Sequence, residues 1–295
     1  MVEKLIRKNL ALIGSASCLV AMSLQPATSA PRYTGLFDVP ARMEALKAPE
    51  MASVRAACLK IPVDAEWRRL KPIEGLTPTE GYGSDNSAED FSWAVMVMSG
   101  RTLAGDRKAE AALSKLLLTW AEADAFEATV ESYDPYYALK RQLLPMAVAF
   151  AILQPSLSEE DSRTLREWID PLVRRVDKLF DGDVDINNHR TLADSVLMVW
   201  GSTVGDEALF QKGADRFQTT LEETRADGTL PLEARRGARA LWYQRQTLAS
   251  LTVIAEAGRG HGVDLYSRTS EDGSRSLATL IGALTNGIGS PLLAT

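Results

Sequence analysis

Apolar residues recur at every third or fourth position through nearly every long segment of residues 31–295, and no stretch alternates cleanly between apolar and polar residues. The first spacing is that of one face of an α-helix, whereas alternation is the pattern of a half-buried strand. The sequence therefore predicts an all-α protein. We expect helices at residues 108–124, 136–153, 159–180, 188–203, 206–226, 233–257 and 274–284.

Residues that commonly cap helices stand at several of the predicted starts. Asp106 and Ser158 each precede a predicted helix, and Asp134 is followed by a proline, which fits the first turn. Two further prolines, Pro145 and Pro171, lie inside predicted helices. Because proline removes a backbone donor and crowds the preceding turn, we expect both helices to be kinked or split.

Short connections join the predicted helices at Gly105, Gly205 and Gly228, which makes consecutive helices antiparallel neighbours. A series of helical hairpins either closes into an α/α toroid or stays open as a solenoid, and no repeat of fixed length favours the solenoid. Residues 62–90 differ, because proline and glycine are closely spaced there. This pattern predicts a long loop of the kind that forms lids or binding segments.

The first thirty residues have the pattern of a secretory signal peptide. Lys4, Arg7 and Lys8 precede an apolar run at residues 10–24, and small residues follow up to residue 30. The run is short for a membrane span, and the alternative is a buried N-terminal helix. We expect residues 1–30 to be removed on export to the periplasm, leaving 31–295 as one domain without a membrane anchor.

Composition restricts the partners and the cofactors that the chain is expected to use. The 295 residues contain 33 Lys and Arg against 39 Asp and Glu, a net charge of −6, so no basic field would attract nucleic acid. An anionic ligand must therefore meet a local basic cluster. Cys18 lies in the predicted signal, and Cys58 alone forms neither an internal disulfide nor a cysteine zinc site.

The two histidines lie in different local contexts. His261 sits in a glycine-rich turn that follows a predicted helix, and we expect a surface residue or a helix cap. His189 follows Asn187 and Asn188 and precedes Arg190 at a predicted helix start. Either an asparagine simply caps the helix, or Asn188 binds an anion at the helix N-terminus while His189 handles a proton.

A second cluster lies near residue 240. On a continuous helix, Arg236, Arg239 and Tyr243 are spaced i, i+3 and i+7 and share one face. Two guanidinium groups and a phenol suit a ligand that carries carboxylates and hydroxyls. The alternative is a solvated basic face with Glu233 as its counter-ion.

Both clusters resemble the mannuronate-specific alginate lyases of polysaccharide lyase family 5. The resemblance rests mainly on the string Asn187-Asn188-His189 and on the segment 227–243, which ends at Tyr243. It extends over about residues 58–266. Weaker similarities lie at residues 120–125, 140–141, 146–153, 262–265 and, in the lid loop, 82–85.

The resemblance implies an α/α toroid whose groove binds a β-1,4-linked polyuronate and cleaves it by β-elimination, without a metal or a cofactor. Asn188, together with either Arg236 or Arg239, would neutralise the carboxylate at the reacting carbon. His189 and Tyr243 would share the proton transfers. The residues that the resemblance assigns to substrate binding are Arg239, Asn187, Arg190 and Tyr82.

Two positions and the length of the sequence depart from the family pattern. Gln244 stands where a histidine commonly follows the tyrosine, and Asn86 replaces a lysine of the lid. The sequence ends at Thr295, whereas family members continue for several helices, so we expect a shortened toroid or a truncated chain. The alternatives are a catalytically weakened polyuronate-binding or assembly protein, a helical scaffold for protein partners, and another uronan such as glucuronan as substrate. We expect a monomer.

Overall fold

The computed structural model describes residues 32–80, 84–182 and 187–288. The predicted signal peptide lies outside these residues. Among them there is no strand, only an isolated bridge between Thr269 and Ser276, so the prediction of an all-α protein is confirmed. No helix in the described part of the chain is long and apolar enough to cross a membrane.

Eleven α-helices lie within the described residues, joined by turns and short 3-10 segments. They are α1 (Val39–Ala45), α2 (Ala52–Lys60), α3 (Glu89–Leu103), α4 (Arg107–Glu122), α5 (Tyr133–Leu153), α6 (Glu159–Leu179), α7 (Asn188–Val204), α8 (Glu207–Glu223), α9 (Pro231–Ala234), α10 (Ala240–Gly260) and α11 (Leu277–Ile288).

The helices form two layers. Helices α3, α5, α7 and α10 pack side by side in that order as an inner layer. Helices α4, α6 and α8 each pack against the inner helix that precedes them in the chain and form the outer layer. This arrangement of antiparallel hairpins is an α/α toroid, as predicted. The inner layer is the one that lines the groove described below.

Two predicted helix caps are confirmed. The Asp106 carboxylate accepts hydrogen bonds from the backbone N–H groups of Lys108 and Ala109, and the Ser158 hydroxyl accepts one from Asp161. Helix α5 begins before Asp134, so the predicted cap there lies inside the first turn. First-turn N–H groups have no intrahelical partner, and a proline is therefore tolerated at this position.

The two internal prolines do not split their helices. Helix α5 runs continuously through Pro145, and α6 runs continuously through Pro171. Proline inside a helix costs about 3 kcal/mol. Both helices bury one face among neighbouring helices, and this packing offsets the lost backbone hydrogen bond.

The prediction of one helix over residues 233–257 is wrong. The chain forms the short helix α9, a 3-10 turn at Gly237–Arg239, and then α10. Gly237 has a φ of 58°, in the left-handed region that glycine adopts at little cost. The helix therefore ends before this residue, and the basic residues of the segment lie on a turn.

Much of the predicted loop at 62–90 is tied to the protein. The carbonyls of Ile73, Glu74 and Leu76 accept hydrogen bonds from backbone N–H groups within residues 126–130. Leu76 is fully buried. Residues 73–76 are therefore held against residues 126–130, and the role of the loop as a lid stays a prediction.

Candidate active site

A groove of about 770 Å³ lies along the inner helices at the end where α7 and α10 begin. Four predicted site residues lie on its wall: His189, Arg236, Arg239 and Tyr243. Side chains from α5 and α10 complete the wall, among them Tyr137, Arg141, Trp242 and Gln246. The structure thus brings together two clusters that are about fifty residues apart in the sequence.

Another depression, of about 490 Å³, lies between α6 and the turn that joins α7 to α8. Two arginines, Arg166 and Arg174, line it with three carboxylates, and Arg174 is already paired with Asp170 and Asp206 at 2.7 and 2.6 Å. Because these charges neutralise one another, this depression offers less to a charged ligand than the groove does.

The two asparagines before His189 organise the start of α7. The Asn187 side-chain oxygen accepts a hydrogen bond from the His189 backbone N–H at 2.7 Å, so Asn187 is the N-cap. Asn188 is 2% exposed, and its amide nitrogen donates to Gln246 Oε1 at 2.9 Å. The cap interpretation is therefore correct for Asn187, while Asn188 connects α7 to α10.

The predicted anion site at the N-terminus of α7 is already filled by the protein. Glu233 Oε1 accepts a hydrogen bond from the Asn188 backbone N–H at 2.6 Å. A carboxylate at this position satisfies an orphan donor and complements the helix dipole. An internal carboxylate therefore occupies the Asn188 backbone N–H, and binding of a ligand by the Asn188 side chain stays a prediction.

Glu233 is fully buried and joins the two clusters. Its second oxygen lies 3.9 Å from Nε of Arg236. Burial raises the pKa of the Glu233 carboxyl, against the opposing effects of the Asn188 N–H and the Arg236 guanidinium. The sequence indicated only a counter-ion on a solvated face, since burial depends on α7 packing against this turn.

The His189 ring is held largely away from water. It packs against the rings of Tyr137 and Phe180, at centroid distances of 4.6 and 6.1 Å. Its carbonyl accepts a hydrogen bond from the buried Lys140 Nζ at 2.7 Å. Burial, and then the charges of Lys140 and Arg236, lower the pKa of His189 to about 3, so the imidazole is neutral at pH 7.

Tyr243 lies at the start of α10 and is 6% exposed. The Arg236 guanidinium carbon lies 4.6 Å from the centre of its ring, and the Trp242 ring meets it edge-on at 4.9 Å. The three residues Arg236, Arg239 and Tyr243 share the groove, although not as a stripe on one continuous helix. The turn at Gly237 places the guanidinium group over the ring instead.

Arg190 is not on the groove wall. It is 6% exposed, and its guanidinium donates hydrogen bonds to the carbonyls of Phe180, at 3.0 Å, and of Gly182. The predicted role of Arg190 in substrate binding is therefore corrected: its guanidinium binds the backbone just after α6. Tyr82, the remaining predicted binding residue, lies outside the described residues.

Gln244, which replaces the usual histidine, points away from the groove. It is buried, and its amide donates to the Gly228 carbonyl at 2.9 Å and accepts from the Leu230 N–H at 3.1 Å. This position therefore holds the loop before α9.

The sequence interpretation did not single out Tyr137, Arg141, Trp242 or Gln246 as site residues. Gln246 could have been found, because it lies three residues after Tyr243 on the same helical face. The α5 residues carry no such signal. Within residues 32–80, 84–182 and 187–288, no group of three or more His, Cys, Asp or Glu side chains is placed to hold a metal ion.

Known proteins resemble this chain in sequence and in fold. A polysaccharide lyase of Stenotrophomonas maltophilia is 27% identical over 190 residues, which cover 58% of this chain and 57% of the relative. An alginate lyase of Pseudomonas syringae pv. syringae is 28% identical over 158 residues, or 51% of this chain and 42% of the relative. The chain thus spans about half the length of the curated relatives that it matches.

Alginate lyase A1-III from Sphingomonas species A1 has a similar fold. Its structure superposes with a TM-score of 0.76 at 21% identity, covering 90% of this chain and 82% of that one. The alginate lyase family model matches residues 66–292. This match covers most of the chain, including both clusters of the groove, and the chain belongs to the alginate lyase family.

Proposed function

We propose that this chain is a polysaccharide lyase that cleaves a β-1,4-linked polyuronate, mannuronate-rich alginate, by metal-independent β-elimination. The observation that supports this proposal most directly is that one groove is lined by a neutral imidazole, a phenol and two guanidinium groups. The names of the relatives, a polysaccharide lyase and an alginate lyase, support the same class of substrate.

The first chemical demand is neutralisation of the uronate carboxylate. The C5 proton lies α to this group and is barely acidic while the carboxylate is charged. Arg236 and Arg239 line the cavity and present the guanidinium groups that pair well with carboxylates. Asn188 would contribute by exchanging its bond with Gln246 for one to the substrate.

The second demand is the movement of two protons. The C5–H bond breaks as the C4–C5 double bond forms, and the C4–O bond breaks as the leaving oxygen gains a proton. His189 is neutral and accepts a proton, and the carboxylate of a bound uronate would raise its pKa and make it a stronger base. Tyr243 donates a proton, while Arg236 over its ring stabilises the negative charge that develops on the oxygen.

Polymannuronate tests the proposal directly. Elimination gives an unsaturated sugar end, so ultraviolet absorbance rises with each cleavage, and we expect a chelator to leave the rate unchanged. Tyr243→Phe removes the hydroxyl and should abolish the rise. The control Tyr266→Phe alters a tyrosine that bonds Glu256 at 2.7 Å outside the groove, and it should retain activity. Full activity in Tyr243→Phe would contradict the assignment.

We further propose export to the periplasm and action there as a monomer. The charged and apolar pattern of residues 1–30 supports export. Cells that express the full chain should yield a periplasmic form whose N-terminus lies near residue 31, and size-exclusion chromatography should give one chain per particle. An uncleaved cytoplasmic form would contradict the proposed export.

A further inference from the structure

The groove continues beyond the catalytic cavity. A second cavity, of about 350 Å³, lies between α3 and α5. Arg141 lines both this cavity and the larger one that holds His189 and Tyr243. A polymer that lies across Arg141 would therefore enter both cavities.

An exposed tryptophan forms part of the wall of the second cavity. Trp93, on α3, is 46% exposed, whereas Phe91, two residues earlier on the same helix, is buried and stacks on Trp120 at 3.8 Å. A large aromatic side chain left in water on a groove wall is typical of a binding surface. Its flat apolar face matches the C–H face of a pyranose ring.

The charge of the second cavity differs from that of the catalytic one. Among the described residues that line it, Arg141 is the only cation, against the carboxylates of Asp85, Glu89 and Asp90. Burial acts to raise the pKa of Asp85, but hydrogen bonds from Ser87 and Thr77 outweigh it and hold the pKa below its usual value. A uronate placed here would meet more negative than positive charge.

We propose that Trp93 forms a distal sugar subsite of the groove, which stacks a pyranose ring and prefers an uncharged sugar to a uronate. The inference rests on the proposed function, because it takes the ligand to be the polysaccharide that also enters the catalytic cavity. The charge difference between the two cavities would then favour substrates whose distal end is neutral.

Oligosaccharides of graded length test the stacking contact. Trp93→Ala should lower kcat/KM about tenfold, or about 1.4 kcal/mol, for chains long enough to reach the second cavity, because the stacking contact is lost. Short chains that fill only the catalytic cavity should be cleaved at the normal rate. Trp93→Phe keeps an aromatic face and should retain most of the activity.

Tyr266→Ala, which removes an exposed aromatic ring outside the groove, is the matched control. An equal loss for chains of every length would show a structural role for Trp93 and overturn the proposal. No loss for any length would overturn it as well.

A chain whose distal sugar has been carboxyl-reduced tests the charge preference. The unmodified protein should cleave it with a higher kcat/KM than the all-uronate chain, and Asp90→Asn should shrink the difference. A preference for the all-uronate chain would refute this part. If no uronan is cleaved, calorimetry replaces kinetics. Weaker binding of long chains by Trp93→Ala would then support the subsite while the proposed cleavage fails. No binding of any chain would defeat both proposals.

Discussion

Stability as a function of pH tests the environment of His189. Burial and the nearby charges of Lys140 and Arg236 lower the pKa of His189 from 6.5 to about 3. Between these values the unfolded chain binds a proton that the folded protein does not bind. The free energy of unfolding therefore rises with pH across this window and is lost as the pH falls.

The size of the effect follows from the same shift. Each pH unit inside the window changes the free energy of unfolding by about 1.4 kcal/mol. Because the unfolded imidazole is only half protonated at pH 6.5, lowering the pH from 6.5 to 4.5 should cost about 2 kcal/mol through His189 alone. A variant without a titrating group at position 189 should not show this part of the loss.

Urea unfolding of the unmodified protein and of His189→Gln, at several pH values between 6.5 and 4.5, measures the effect as a difference. Asp194, whose pKa burial raises to about 7, changes stability in the opposite direction, but it titrates in both proteins and cancels. His261→Gln is the control: burial also lowers the pKa of His261, with Glu207 opposing, so we expect a smaller difference.

A difference between the unmodified protein and His189→Gln that stays constant within about 0.5 kcal/mol across the range would refute the reasoning. Such a result would mean that the imidazole is solvated in the folded protein. The pKa of His189 would then lie near its ordinary value of 6.5, and the water-excluded environment described for the imidazole would be wrong.

Two further variants test the segment that leads from α8 to α10. Glu233→Ala leaves the buried Asn188 N–H without an acceptor and should lower the free energy of unfolding by about 2 kcal/mol. Glu233→Gln keeps an oxygen at this position and should cost less. Equal losses of the two variants in urea unfolding would argue against the hydrogen bond. Gly228 has a φ of 79°, and Gly228→Ala would place a Cβ 2.3 Å from the Thr279 carbonyl oxygen. Gly273 has a similar φ of 73°, but no atom lies within 4 Å of a Cβ there. Gly228→Ala should therefore lower the melting temperature far more than Gly273→Ala does. Similar melting temperatures for the two glycine variants would contradict the close approach.

Local signals explain why much of the fold could be predicted. Asp106 and Ser158 cap their helices through hydrogen bonds to backbone N–H groups two or three residues later, so these helix starts are encoded within a few residues. The helical spacing of apolar residues depends equally on neighbours in the sequence. The predictions failed where packing competes with local preference, as at Pro145 in the continuous helix α5.

In the candidate site, too, the local features could be predicted from the sequence and the tertiary contacts could not. The string that ends at His189 and the segment that ends at Tyr243 were visible because each carries its chemical groups close together. Their meeting in one groove was expected only from resemblance. Trp93 and Arg141 come from other helices, and no spacing in the sequence indicates that they lie along the same groove.

By itself the sequence determined the all-helical class, several helix starts and the two clusters of polar candidate residues, because these depend on the order of residues over a few turns. Tertiary structure alone decided that Glu233 fills the N-terminus of α7, that Arg190 turns to backbone carbonyls, and that the pKa of His189 falls to about 3. Burial and charge proximity are properties of packed helices, and they arise only when segments distant in the chain exclude water from one another.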